Sequence, residues 1–392
     1  MGKLVAHSLR GIPDPPPVTL LLHKKTLLEE WENGPKEIRL TTDGIAEART
    51  GFDVELALPR GQRGQEDNDQ VPSSIQGAAA DAPPPPVAED PDAQEAPTSP
   101  IHNLIVTVKA PNTVSALSAI QHRLIPQSTI LFLQNGMGIL DEVNTHIFPS
   151  TATRPTYMLG IISHGINSQS TFSATHAGHG TISLGILPRP SQAPPNRSPS
   201  ASDSPASAPP PSPTFLLQTL ERTPVLSAFR VPYPELLSLQ LEKLAVNAVL
   251  NPLTALLRCR NGAALSSPSV RRTSRLLLAE IGAVVRALPE LAHDPSTPTR
   301  FGAERLGELV RGVAERTAQN VSSMLADVRA GRGTEIEFIN GFVVRKGREV
   351  GVECPVNEVM VRLVEGRGEL GALGLVEEGR GDVPYVKAVE KE

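Results

Sequence analysis

Lys243, Asn247 and Asn251 follow one another at intervals of four residues, so a helix would carry an ammonium and two carboxamides on one face. A cationic donor beside an oxygen stabilises negative charge that develops there and can supply a proton. Neutral amides donate to further oxygens without adding charge. Lys243 is the only cation on this face. As residue types alone, the positions also suit a solvated helix lysine and, for Asn251, an N-cap ahead of Pro252 at the first position of a following helix.

Other polar residues could join them. Asn320, Ser322 and Ser323 offer amide and hydroxyl donors, a neutral set that can hold an anion without an arginine, although Asn320 and Ser323 at i, i+3 also read as a polar helix stripe. Glu335 lies near the start of a predicted helix, where an acid also favours the helix dipole. Asn261 precedes Gly262 as a turn residue would. Lys109 and Asn135 each follow the end of a predicted strand, the edge at which α/β folds bind ligands, and His164 sits at a similar edge. The nine histidines show no paired ligand spacing; His176 and His179, beside glycines, read as loop residues, and no metal is expected.

The elements that must position these groups fall into two textures. Residues 3–10, 25–31 and 112–124 read as helices; Val18–Leu22, Leu104–Val108, Thr129–Leu133, Tyr157–Ile162 and Thr181–Ile186 read as strands, several of them continuous apolar runs typical of buried parallel strands. After Pro234, residues 235–250, 268–288, 303–329 and 335–350 show apolar residues at helical spacing. The expectation is an α/β domain over 1–232, with a mostly parallel sheet, followed by an all-helical domain over 233–392. Proline, 38 residues in all, clusters in two polar segments, about 59–100 and 188–213, which cannot bury enough apolar area to offset their ordering entropy and read as disordered inserts.

Bulk properties exclude several classes. With 37 Lys and Arg against 42 Asp and Glu the formal net charge is -5, which gives no electrostatic reason for a nucleic-acid or anionic-membrane partner. No run approaches the roughly 18 apolar residues of a membrane span. Two cysteines, Cys259 and Cys354, make neither a disulfide scaffold nor a zinc site. The first 25 residues are basic, as in a mitochondrial presequence, but Pro15-Pro16-Pro17 would break its helix. A cytoplasmic location is expected, with the mitochondrion as the alternative.

Three segments resemble the ketopantoate reductase (2-dehydropantoate 2-reductase) family: Thr107-Val108-Lys109-Ala110 with Leu133-Gln134-Asn135-Gly136-Met137-Gly138; Lys243 to Ala255 with Asn261-Gly262; and Asn320 to Asp327 with Thr334-Glu335 through Asn340-Gly341. The resemblance implies a Rossmann-type domain, a helical domain of the 6-phosphogluconate dehydrogenase type, and reduction of ketopantoate to pantoate with NADPH for pantothenate and coenzyme A synthesis. It implies Lys243 as the general acid and Glu335 as the carboxylate at the substrate–cofactor junction. Asn247, Asn251, Asn261, Asn320, Ser322 and Ser323 become substrate contacts, and Lys109 and Asn135 lie on the cofactor side. The partner is then a small 2-oxoacid, and the chain a monomer or homodimer.

Gly2, seen in this light, fits the last glycine of a G-x-G-x-x-G turn, and Lys24, after the strand at 18–22, suits a ribose 2′-phosphate and hence NADP; a solvated surface lysine is the plainer reading. The first strand and two glycines would then be absent from this sequence. Neighbouring strands would keep unpaired backbone groups, and cofactor binding would be weakened. Two alternatives stand beside the reductase: another NADP-dependent 2-oxoacid reductase on the same scaffold, and a non-enzymatic relative acting as a binding or regulatory protein.

Overall fold

The computed structural model describes residues 1–58, 98–188 and 213–376. The two expected disordered inserts fall almost wholly outside the described residues. In chain order the strands are β1 (Thr19–Leu22), β2 (Ile38–Thr42), β3 (Ile45–Arg49), β4 (Asp53–Leu56), β5 (Asn103–Val106), β6 (Thr129–Phe132), β7 (Thr156–Ile162), β8 (Gly165–Ser170), β9 (Ser173–Gly178), β10 (Ile182–Ile186) and β11 (Ala228–Arg230). The helices are α1 (Gly2–Arg10), α2 (Lys25–Asn33), α3 (Thr113–Ile120), α4 (Ile139–His146), α5 (Pro213–Glu221), α6 (Tyr233–Leu257), α7 (Asn261–Ala264), α8 (Pro268–Ala287), α9 (Thr297–Arg300), α10 (Ala303–Arg316), α11 (Ser323–Arg329), α12 (Asn340–Val350) and α13 (Pro355–Ala372).

The amino-terminal half is Rossmann-like. Five strands run in the order β11-β10-β7-β6-β5, with β5, β6 and β7 parallel and β10 antiparallel to β7. Every residue of β6 is buried, because alternate side chains enter two cores. Ile130 and Phe132 pack with Leu117 and Ile120 of α3 and Val143 of α4; Leu131 packs on the opposite face with Leu4, Val5 and Leu9 of α1 and Leu217 and Leu220 of α5. Strands β1 and β4 pair in parallel as a separate two-stranded sheet, so β1 and β5 are both edge strands.

A second sheet, β3-β2-β9-β8, was not expected from the sequence. Two of its strands lack apolar alternation, since β3 is mostly exposed and β8 reads Gly-Ile-Asn-Ser-Gln-Ser. The alternation of β2 and β9 is short, with Ile38 and Leu40 buried in one and Ala174 and His176 in the other. Their burial comes from outside the sheet, where Leu40 and Ala174 join the α1 core and Trp31 packs edge-on against Phe52 and Phe172. His176 is corrected here from loop to β9, with its ring buried.

The carboxyl-terminal half is helical and built around α6, which packs against α8, α10, α11 and α13. Two expected boundaries move. The stretch 303–329 is two helices, broken at residues 317–322, so Asn320 lies in a loop and does not share a helix face with Ser323. Helix α6 continues through Pro252 to Leu257, so Asn251 is buried mid-helix and is no N-cap. Proline removes the N–H that would bond the carbonyl four residues back, and that carbonyl, on Ala248, accepts instead from Asn340 Nδ2 at 2.9 Å. A buried asparagine from α12 thus repairs the break, itself tied through the same nitrogen to Asn357 Oδ1 at 3.0 Å.

Candidate active site

A small cleft opens where the helical half meets the carboxyl ends of β6 and β7. One wall is the turn Gln134-Asn135-Gly136-Met137 with Gly160 and Ile161 of β7; the other is the α6 face presenting Gln240, Lys243, Leu244 and Asn247. The helical periodicity that suggested Lys243 and Asn247 as neighbours therefore does place them on the cleft side.

Lys243 is half-buried, and its Nζ donates to the carbonyl of Ile162 at 2.7 Å. That contact aims the side chain at the β7 edge and leaves two of its three protons for other acceptors. Burial pushes the ammonium down from 10.5 to about 8, opposed in part by the charge of Glu335. Desolvation of this kind brings a lysine into the range where it can give up a proton at working pH. The side chains of Gln240, Asn247 and Asn251 make no hydrogen bond to the described residues of the chain. Gln240 and Asn247 line the cleft, so their amides are available to a ligand there, whereas Asn251 is buried one turn further along α6, outside the cleft lining.

Glu335 comes from the opposite direction, just ahead of a 3₁₀ turn at Ile336–Phe338. It is buried, and burial raises its carboxyl above the ordinary value, while hydrogen bonds from the Ala110 N–H (3.2 Å) and the Asn135 side chain hold it down. Since Ala110 follows β5 and Asn135 follows β6, this one carboxylate stitches the strand ends to the helical half. The seam continues through the Met137 N–H, which donates to Phe338 O at 2.7 Å. Gly136 has φ +83°, and a Cβ there would lie 2.7 Å from Phe338, so this turn position requires glycine on both counts. Lys109 Nζ pairs with Asp327 Oδ1 at 2.7 Å and donates to Gly333 O at 3.1 Å. Its charge is thus engaged within the seam.

The remaining expected residues divide. Ser322 is the N-cap of α11, accepting from the Leu325 N–H at 3.1 Å and bonded to Thr254 Oγ1 of α6 at 2.7 Å. Asn261 donates from Nδ2 to Thr317 Oγ1 at 3.0 Å, and its N–H bonds Asn320 O at 3.1 Å. Asn261, Asn320 and Ser322 form a brace at the far end of α6, outside the cleft lining; Asn320 and Ser323 are exposed. His164 does not line the cleft. Its Nε2 donates to Leu226 O at 2.9 Å, and its Nδ1 receives the Gly180 N–H at 3.1 Å and lies 3.0 Å from His176 Nε2. Gln240, Gly160 and Ile161 were missed; Gln240, three residues before Lys243, was open to the same helical argument.

The groups expected to face a dinucleotide each follow a strand: Lys24 follows β1 of the two-stranded sheet, whereas Lys109 and Asn135 follow β5 and β6 of the five-stranded one. Gly2 opens α1 with its Cα so close to Thr107 that a Cβ would stand 2.7 Å from Thr107 Oγ1. Backbone amides at the start of α1 and a basic residue after β1 are of the kind that suits an anionic nucleotide, whereas Lys109 already has its carboxylate in Asp327.

Comparison with known proteins agrees with this architecture. Residues 48–189 match the profile described as "Ketopantoate reductase PanE/ApbA", and residues 235–368 match "Ketopantoate reductase PanE/ApbA C terminal". A probable 2-dehydropantoate 2-reductase of Schizosaccharomyces pombe is 33% identical over 270 residues, 68% of this chain and 74% of that one. A ketoisovalerate reductase of Gibberella fujikuroi is 27% identical over 403 residues, 93% of this chain and 80% of that one. Among solved structures, a ketopantoate reductase from Ralstonia eutropha superposes with a TM-score of 0.61 at 18% identity, covering 94% of this chain and 93% of that one. D-mandelate dehydrogenase with NADH and anilino(oxo)acetate gives 0.59 at 15% identity, with 94% of each chain covered.

Proposed function

This chain belongs to the ketopantoate reductase family, an oxidoreductase family, and from that premise we propose that it reduces the ketone of a short branched 2-oxoacid, 2-dehydropantoate, with NADPH. The observation that carries the reading is Lys243: one partly desolvated ammonium on the α6 wall of the cleft, fixed by Ile162 O, with Asn247 one turn further along the same face.

Gly2, Lys24, Lys109 and Asn135 are the residues of the amino-terminal half that would hold a nicotinamide cofactor, which would supply the hydride for the carbonyl carbon. The remaining work belongs to the residues of the chain. Lys243 donates to the carbonyl oxygen, stabilises the charge that builds there and delivers the proton that completes the alcohol. Asn247, without a side-chain partner among the described residues, orients a further substrate oxygen from the same wall, with Asn251 one turn beyond it. Asn320 and Ser323 lie outside the cleft lining and would reach the carboxylate only if the helical half moved towards it. Glu335 supports the protonated state of Lys243 and fixes the Asn135 side chain at the junction. Lys24, following β1, favours a 2′-phosphate and therefore NADPH over NADH.

The second reading keeps the reaction and changes the acid: ketoisovalerate lacks the hydroxymethyl group of 2-dehydropantoate, and relatives named for it align along 93% of this chain. The test is the loss of reduced-nicotinamide absorbance with each acid and each cofactor, for the parent chain and Lys243→Ala. Turnover of 2-dehydropantoate that is lost in the variant supports the proposal. Turnover of ketoisovalerate alone would transfer it to the second reading, and a folded protein that binds the nucleotide but turns over neither would overturn both.

A further inference from the structure

Helix α13 is apolar on two opposite sides. Its inner side, with Asn357, Met360, Val361 and Val364, is buried against the helical core. Its outer side carries Val359, Leu363, Leu370 and Leu373, exposed by 50%, 49%, 47% and 70%. With Gly366 between Leu363 and Leu370, the outward positions are spaced four, three, four and three residues apart, the repeat of a helix-pairing seam. A Cβ built on Gly366 meets nothing within 4 Å, so the middle of the seam is open to close approach. A contiguous apolar row of this length, roughly 21 Å along the helix at 1.5 Å per residue, is more than scattered surface hydrophobics.

We propose that this face is covered by α13 of a second copy of the chain, packed antiparallel about a twofold axis near Gly366. The charges beside the seam select this occupant and this direction. Arg362 and Glu369 border the same side of the seam, and Arg362 is steered along it by Glu358 and Glu365 of its own helix. In an antiparallel twofold pair each border meets itself, which sets Arg362 of one copy beside Glu369 of the other, twice over. A parallel pair would instead bring that border against the opposite one, where Arg367 stands, and oppose arginine to arginine. The row is also nearly self-complementary when reversed: Val359 meets Leu373, Leu363 meets Leu370, and Gly366 meets Gly366. The contact is small beside the roughly 800 Å² per partner of a standard interface, so the dimer is expected to dissociate on dilution.

Sedimentation of the full chain over a range of concentrations tests this. The expected result is a mass rising towards twice that of the chain. Leu363→Asp with Leu370→Asp should hold it at the monomer, whereas Leu276→Asp, an exposed leucine of α8, should not. Arg362→Glu and Glu369→Arg should each weaken association severalfold, and the two together should restore it, a reversal that a folding defect cannot produce. A parent chain that stays monomeric at every concentration overturns the proposal. So does one that dimerises only after residues 377–392 are deleted, since the face would then be covered by the chain itself. Single charge reversals that leave association unchanged would overturn the antiparallel arrangement.

Discussion

The two sides of helix α6 treat polar groups in opposite ways. Facing the cleft, Gln240 and Asn247 have no side-chain partner among the described residues, and Lys243 uses one proton of three. Facing the core, the Ala248 carbonyl orphaned by Pro252 is met by Asn340, which is met in turn by Asn357, whose Nδ2 reaches Glu280 Oε2 at 2.7 Å. A polar group denied both water and a partner costs about 1–3 kcal/mol. The core side therefore satisfies its groups from within, while the cleft side keeps them for a ligand. One helix thus holds the architecture with one face and presents the chemistry with the other.

The largest effect that would break this contrast is at Lys243. Replacing it with methionine removes the proton donor and should lower kcat by roughly 10²- to 10⁴-fold, measured in steady-state turnover. The same change removes an ammonium that burial disfavours in its charged form, so the melting temperature should rise. A variant that lost activity and stability together would mean that Lys243 is architectural.

Asn340→Ala should show the reverse pattern. It leaves Ala248 O and Asn357 Oδ1 without their donor, at about 1–3 kcal/mol for each buried group left unsatisfied. Denaturant melts should register the loss as a lower midpoint, with the Michaelis constant for the acid close to that of the parent. A Michaelis constant that rose tenfold with an unchanged midpoint would place Asn340 on the functional side.

The same contrast explains what the sequence could and could not disclose. Lys243, Asn247 and the Gln134–Gly138 turn were legible because one helical period and one strand end fix their placement locally. The two-texture order of sheet then helices was legible for the same reason, from continuous apolar strands such as β6. The β3-β2-β9-β8 sheet was hidden, since β3 and β8 stay largely exposed and the alternation of β2 and β9 spans only two buried positions each, one of them the polar His176. The seam was hidden too. Glu335 meets Ala110 across 225 positions of chain, and the role of Asn340 exists only because Pro252 sits inside a helix that tertiary packing keeps continuous. Ser322 and Asn261 have the residue types of donors to a ligand, yet each finds a partner inside the protein, at Thr254 and Thr317. Residue type alone cannot distinguish a donor awaiting substrate from one already engaged.

The smallest predicted effect is on pH, and it separates the two sides of α6 within a single residue. With Lys243 held at about 8, its proton-donating form is nearly complete at pH 7 and half depleted at pH 8, so turnover should fall by about a factor of two over that unit and about tenfold per unit well above it. A lysine at its ordinary 10.5 would leave the profile flat over this range. Stability should move the other way. Between about 8 and 10.5 the unfolded chain binds a proton at Lys243 that the folded chain has released, so folding gains as pH rises. Against Lys243→Met, the parent should therefore be less stable below pH 8, with the gap closing as pH climbs towards 10.5. Paired melts of the two proteins across that window read this difference free of every other titrating group they share. A gap that stayed constant would mean the ammonium keeps its proton in the folded state, and that the cleft-facing side of α6 is more solvated than its packing around Lys243 implies.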